Sequence, residues 1–279
     1  MQDQSIVNAG LYSPDEFRDN CGFGLIAHMR GEAGHHLVQT AIHSLSCMLH
    51  RGAIAADGKT GDGCGLLLAM PKAFFRTVAQ EELGVTLDDT FAAGLVFLST
   101  DPALAANARE ILGRELAAEG LTLAGWRKVP TDNSILGEIA LRSLPVFEPV
   151  LVNAGRQDEV TVNRKLFLAR RRAEHQLKSD PLFYITTLST QVISYKGLVM
   201  PADLPNFYLD LRDERMATHI CVFHQRFSTN TMPRWPLAHP FRRLAHNGEI
   251  NSIEGNRCWS NARKNVWRSP LLDVAEFEA

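Results

Sequence analysis

Apolar runs of strand length, separated by stretches with helical spacing, govern what this 279-residue chain can become. Residues 65–70 (GLLLAM) and 91–98 (FAAGLVFL) are apolar throughout, and four to eight such residues between turn signals describe a buried strand. No run approaches the roughly 18 residues a membrane-spanning helix needs. Residues 36–50 set Leu37, Thr40, Ala41, Ser44, Leu45 and Met48 at helical spacing and close on Arg51-Gly52, a stop signal. The same reading predicts a buried strand over 21–29, a short helix over 72–82 behind Pro71, a helix over 101–119 and a strand over 121–129. It predicts an amphipathic helix over 164–178 with Arg170, Arg171 and Arg172 on a solvated face. Residues 183–188 and 192–199 read as a strand pair turned by Ser189-Thr190-Gln191, and 219–222 as a further strand. Pro233, Pro236 and Pro240 make 229–240 irregular, because proline fixes φ and removes a ladder donor. Such alternation implies a layered α/β or α+β domain.

Composition narrows the function classes. With 45% hydrophobic and 22% charged residues, extended disorder is excluded for most of the chain. A balance of 29 Lys+Arg against 31 Asp+Glu leaves no field to hold a polyanion, so binding of nucleic acid through bulk charge is not expected. Residues 1–20 are polar and carry Asp3, Asp15, Glu16 and Asp19, unlike a secretory or transit peptide. A cytoplasmic protein without a membrane span follows as the expectation. Cys21, Cys47, Cys64, Cys221 and Cys258 are odd in number and form no C-x-x-C pair, which argues against a disulfide framework or zinc ribbon. Each thiol is expected to be buried and apolar, with Cys21 considered separately.

Four segments could carry chemistry. Cys21-Gly22-Phe23-Gly24 heads a predicted strand. If residues 1–20 were removed, Cys21 would hold a thiol beside a free α-amine, whose ordinary pKa is about 7.7–8.0, joining nucleophile and base in one residue. His50-Arg51-Gly52 is followed by Thr60-Gly61-Asp62-Gly63-Cys64. Five residues separate Gly52 from Gly58 and a helix precedes them, so Gly58-Lys59-Thr60 is no P-loop. A tight loop feeding the next strand, with Arg51 aimed back toward it, is expected. In Gln225-Arg226-Phe227-Ser228-Thr229-Asn230, a guanidinium fork at a strand end suits a carboxylate, or forms an ion pair with turn caps. His246-Asn247-Gly248-Glu249 reads as a hairpin turn or as two donors converging on an oxyanion.

Taken in this order, the Cys21, His50-Arg51-Gly52, Gln225–Asn230 and His246–Glu249 motifs resemble the class II glutamine amidotransferase domain at the N-terminus of bacterial glutamate synthase large chains. The resemblance runs from about Asn20 to Ala279. It implies an α+β fold, the four-layer αββα sandwich of N-terminal-nucleophile hydrolases, with an α/β insertion over about 86–175. It makes residues 1–20 a propeptide and Cys21 the nucleophile. Arg226 would grip the glutamine α-carboxylate with help from Thr229, Asn247 and Gly248 would form the oxyanion hole, and Arg51 would support the site. The reaction would hydrolyse L-glutamine through a thioester to glutamate and ammonia.

The family's aspartate for the substrate α-amino group is absent before Ala279, so the resemblance implies a C-terminally truncated domain, weakly active or inactive alone and with exposed sheet edges. It implies no cofactor within these residues. For the whole family protein it implies FMN, an iron–sulfur cluster, NADPH through a small partner subunit, and 2-oxoglutarate as ammonia acceptor outside this chain. Two alternatives remain at this point. One is a silent amino-acid-binding module that never frees the Cys21 amine. The other is a free-standing amidotransferase serving another acceptor, which the 20-residue leader disfavours.

Overall fold

The computed structural model describes residues 22–225, 232–243 and 254–271. Its strands are β1 (Phe23–Ala27), β2 (Cys64–Ala69), β3 (Phe91–Leu98), β4 (Thr122–Trp126), β5 (Val146–Asn153), β6 (Tyr184–Ile185), β7 (Val192–Gly197) and β8 (Ile220–Gln225). Its helices are α1 (His35–Cys47), α2 (Lys72–Leu83), α3 (Pro102–Ala118), α4 (Glu138–Leu141), α5 (Glu159–Gln176), α6 (Leu204–Phe207) and α7 (Glu254–Arg263). The strands form two antiparallel sheets, ordered β1-β8-β2-β7 and β4-β5-β3-β6. Antiparallel pairing throughout resolves the class as α+β. Among the described residues no helix is long and apolar enough to cross a membrane.

Local chemistry sets the elements. Strand β3 lies between β5 and β6 and is buried along all eight residues, which is why its sequence is apolar on both faces. Helix α3 starts where the Asp101 carboxylate accepts from the Ala103 N–H at 2.8 Å, with Pro102 in the first turn. Asp158 caps α5 through the Thr161 N–H at 2.9 Å. The apolar stripe of α5, Val162, Leu166, Ala169 and Ala173, packs with α3 onto Ala92, Val96, Leu98, Val150 and Val152 of the second sheet. The basic run rides on the outside of this helix, Arg170 and Arg171 pairing with Glu174 and Arg172 with Glu119. The opposite face of β3, through Phe91, Ala93, Leu95 and Phe97, joins the larger core with Phe74 and Phe75 of α2, Leu66 and Leu68 of β2, Tyr195 of β7 and the buried stripe of α1.

Three expectations are corrected. The strand near 21–29 is half-exposed rather than buried: Phe23 and Leu25 are 55% and 61% exposed, because among the described residues β1 pairs only with β8, at the edge of their sheet. The stretches 183–188 and 192–199 do not pair with each other. Strand β6 joins β3, whereas β7 joins β2 in the other sheet. The intervening polar residues are captured by Asn163 of α5, which accepts from Ser189 Oγ at 2.9 Å and donates to Thr190 Oγ1 at 2.6 Å. An apolar run reports burial and not which sheet receives it. Finally, Cys64 and Cys221 are buried as expected, but Cys47 and Cys258 are exposed.

Candidate active site

Helix α1 brings the second motif back to the first. Its 13 residues rise about 20 Å at 1.5 Å each, matching a strand of five or six residues at about 3.4 Å each. The chain that leaves Gly22 along β1 therefore returns with Arg51 beside it. The Arg51 Cβ lies 3.6 Å from where a Gly22 Cβ would stand.

Strand β8 closes the third side. Its register opposite β1 sets Phe23 against His224, and the Gln225 N–H donates to the Gly22 carbonyl at 2.5 Å. A Cβ on Gly22 would lie 2.2 Å from the Gln225 carbonyl oxygen, so only glycine allows this approach. The Gln225 side chain, 1% exposed, turns toward the second motif. A Cβ on Gly52 would fall 1.9 Å from Gln225 Nε2 and 2.9 Å from Asp62 Oδ1. Gln225 Oε1 is buried without a hydrogen-bond partner among the described residues. Gly22, Arg51, Gly52, Asp62 and Gln225 thus form one cluster at the head of the first sheet.

The loop between Gly52 and Cys64 is a closed turn. Ile54 bridges Gly61, and the Asp57 carboxylate accepts from the Lys59 and Thr60 N–H groups at 3.1 and 2.8 Å and from Thr60 Oγ1. These bonds, with the Ile139 N–H, hold the Asp57 carboxyl well below its usual range. A fixed carboxylate already occupies the amides a phosphate would need, so exclusion of a phosphate loop stands on geometry.

The described thiols separate by environment. Cys64 Sγ donates to the Val199 carbonyl at 3.1 Å; burial, with Asp62 and Asp203 nearby, pushes its pKa far up. Burial pushes Cys221 up to about 12. Both remain thiols at neutral pH and are poor nucleophiles. Cys47 and Cys258 sit exposed at helices α1 and α7. Among the described residues no group of three or more His, Cys, Asp or Glu could hold a metal ion.

Of the predicted site residues, Arg51 is among those described, with its Cβ beside Gly22. Cys21, Arg226, Thr229, Asn247 and Gly248 lie outside the described residues, as do Ser228 and Asn230. Two contributors were quoted in motifs without a role: Gln225, which directly precedes Arg226, and Asp62. Lys196 was missed altogether. It is fully buried on β7, and its signal is a lone lysine within the apolar stretch 192–199.

Comparison with known proteins places the chain in a family. A family model described as glutamine amidotransferases class-II matches residues 21–278. The chain is 40% identical over 276 residues to the glutamate synthase [NADPH] large chain of Azospirillum brasilense, covering 96% of this chain and 18% of that one. It is also 40% identical over 268 residues to ferredoxin-dependent glutamate synthase 2 of Synechocystis, covering 95% and 17%. Against the glutamate synthase [NADPH] large chain of Bacillus subtilis it is 38% identical over 258 residues, covering 91% and 17%. The chain spans less than a fifth of the length of these relatives.

Proposed function

Because the chain belongs to the class II glutamine amidotransferases, we propose that it is the glutaminase part of a glutamate synthase, hydrolysing L-glutamine through a thioester on Cys21. The observation that carries this reading is the convergence of Gly22, Arg51-Gly52 and Gln225 at one sheet end. Three motifs distant in sequence meet beside the residue from which the family match begins.

Removal of residues 1–20 exposes the Cys21 α-amine. The amine takes the thiol proton, and the thiolate attacks the side-chain carbonyl carbon of glutamine. The Asn247 amide and the Gly248 N–H stabilise the oxyanion that forms. The α-ammonium then gives its proton to the departing nitrogen, and ammonia leaves as the glutamyl thioester forms. Water, deprotonated by the same amine, attacks the thioester; glutamate departs and the thiol is restored. Arg226, with Thr229, grips the substrate α-carboxylate as a planar fork, while Arg51 supports the nucleophile's strand end.

The arrangement around this chemistry is the four-layer αββα sandwich, with residues of about 86–175 as an α/β insertion that supplies most of the second sheet. In the whole protein, ammonia would pass to 2-oxoglutarate at a synthase site outside this chain, where FMN and an iron–sulfur cluster would supply the redox chemistry. NADPH, through a small partner subunit, would be the electron donor in a cytoplasmic enzyme of this kind. Equal identity to relatives named for NADPH and for ferredoxin supports a donor chosen by residues elsewhere.

Cys21→Ser tests the nucleophile. Glutamine hydrolysis and labelling by a glutamine-like diazoketone should both vanish, with a loss of at least about 10³-fold in rate. Labelling that persists on another cysteine contradicts the assignment.

A further inference from the structure

Residues 232–243 run between the two segments the proposed mechanism uses, 226–231 and 244–253, and they are strapped to the sheets at several points. The Trp235 indole N–H donates to the Ala140 carbonyl at 3.1 Å, and its ring lies where a Gly197 Cβ would come within 2.2 Å. The His239 ring stacks on His224 at 4.5 Å. Its carbonyl sits over Gly65, 2.7 Å from where a Cβ would stand. Arg242 Nη2 donates to Asn163 Oδ1 at 3.4 Å.

Lys196 grips this strap twice. Its Nζ donates to the Pro236 carbonyl at 2.9 Å and lies 4.2 Å from the Phe241 ring centroid, with Tyr184 at 4.9 Å on another side. Burial of an ammonium is costly unless it is hydrogen-bonded or held against ring faces, and Met would fill the same space without that cost. A lysine here supplies something packing does not: an oriented donor to position 236 set against the ring at position 241, on an amine whose pKa burial lowers to about 7.

We propose that Lys196 is a positioning residue of the glutaminase site, clamping residues 234–242, the stretch of chain that joins the motif carrying Arg226 and Thr229 to the motif carrying Asn247 and Gly248. The inference rests on the proposed function and assigns the site a fastening point that touches no substrate atom.

The test compares wild type, Lys196→Met, Lys196→Arg and Phe241→Leu in the processed protein as the cell makes it. Lys196→Met should keep its thermal midpoint within about 5 °C. Its kcat should fall by about tenfold or more and its KM for glutamine rise about threefold or more, since small misplacements of such groups cost up to about 10². Lys196→Arg, which keeps a donor at this position, should recover kcat to within about threefold. Should Lys196→Met fail to fold, Phe241→Leu decides. It removes one face of the clamp and should lower kcat about threefold at an unchanged midpoint. Wild-type kcat and KM in the Met variant, or an unaffected Phe241→Leu chain where that variant decides, overturns the inference. So does loss of activity that merely follows a collapsed midpoint without rescue by Arg. A wild-type protein that does not hydrolyse glutamine removes the function reading and this inference with it, whereas an active wild type with an indifferent Lys196 removes the inference alone.

Discussion

At the scale of single residues, the site is governed by atoms that are absent. Gly22 and Gly52 let the Gln225 backbone and carboxamide approach to distances that no Cβ would permit, and this draws three motifs together. Gly52→Ala would force its new methyl into a fully buried amide, an overpacking that costs about 1–3 kcal/mol. The prediction is a loss of about tenfold or more in glutamine hydrolysis, partly recovered when Gln225→Ala opens the space. Steady-state rates of the two single variants and the double variant check it. A fully active Gly52→Ala chain would mean the contact does not shape the site. The sequence made Gly52 legible as a helix stop, but steric exclusion by a side chain 173 positions away leaves no local signature.

Elements are tied together by one buried guanidinium as well as by apolar packing. Arg127, beyond the end of β4, donates bidentately to Glu82 of α2 at 2.8 Å and to Asp210 at 2.7 and 3.0 Å. Tyr195 of β7 adds a hydrogen bond to Asp210 at 3.1 Å. Burial raises the Asp210 carboxyl even though Arg127 pulls it down, so the carboxylate depends on its partner. Arg127→Met should therefore destabilise the fold by about 3–5 kcal/mol, read from urea unfolding; a loss under about 1 kcal/mol would remove the network from the account. The helices α1, α3 and α5 and the strands β2 and β3 were legible because period and capping are local properties. The partners of β6 and β7 were not, since the same apolar code serves either sheet until Asn163 fixes the crossover.

For the whole molecule, two antiparallel sheets share one large core while a second cluster seats α3 and α5 on the outer face of β3. That layering brings Gly22, Arg51-Gly52 and Gln225, spread over some 200 residues, together at one end of the first sheet. The thiol, the guanidinium fork and the Asn-Gly pair pointed to chemistry only as a set, and all three lie outside the described residues. Lys196 was not legible, because a strap is defined by what it touches. The central claim is that one residue supplies both thiol and amine, and intact mass with N-terminal sequencing of the active protein tests it most directly. The account predicts a chain beginning at Cys21 in every preparation that hydrolyses glutamine; an active protein that keeps residues 1–20 would contradict it.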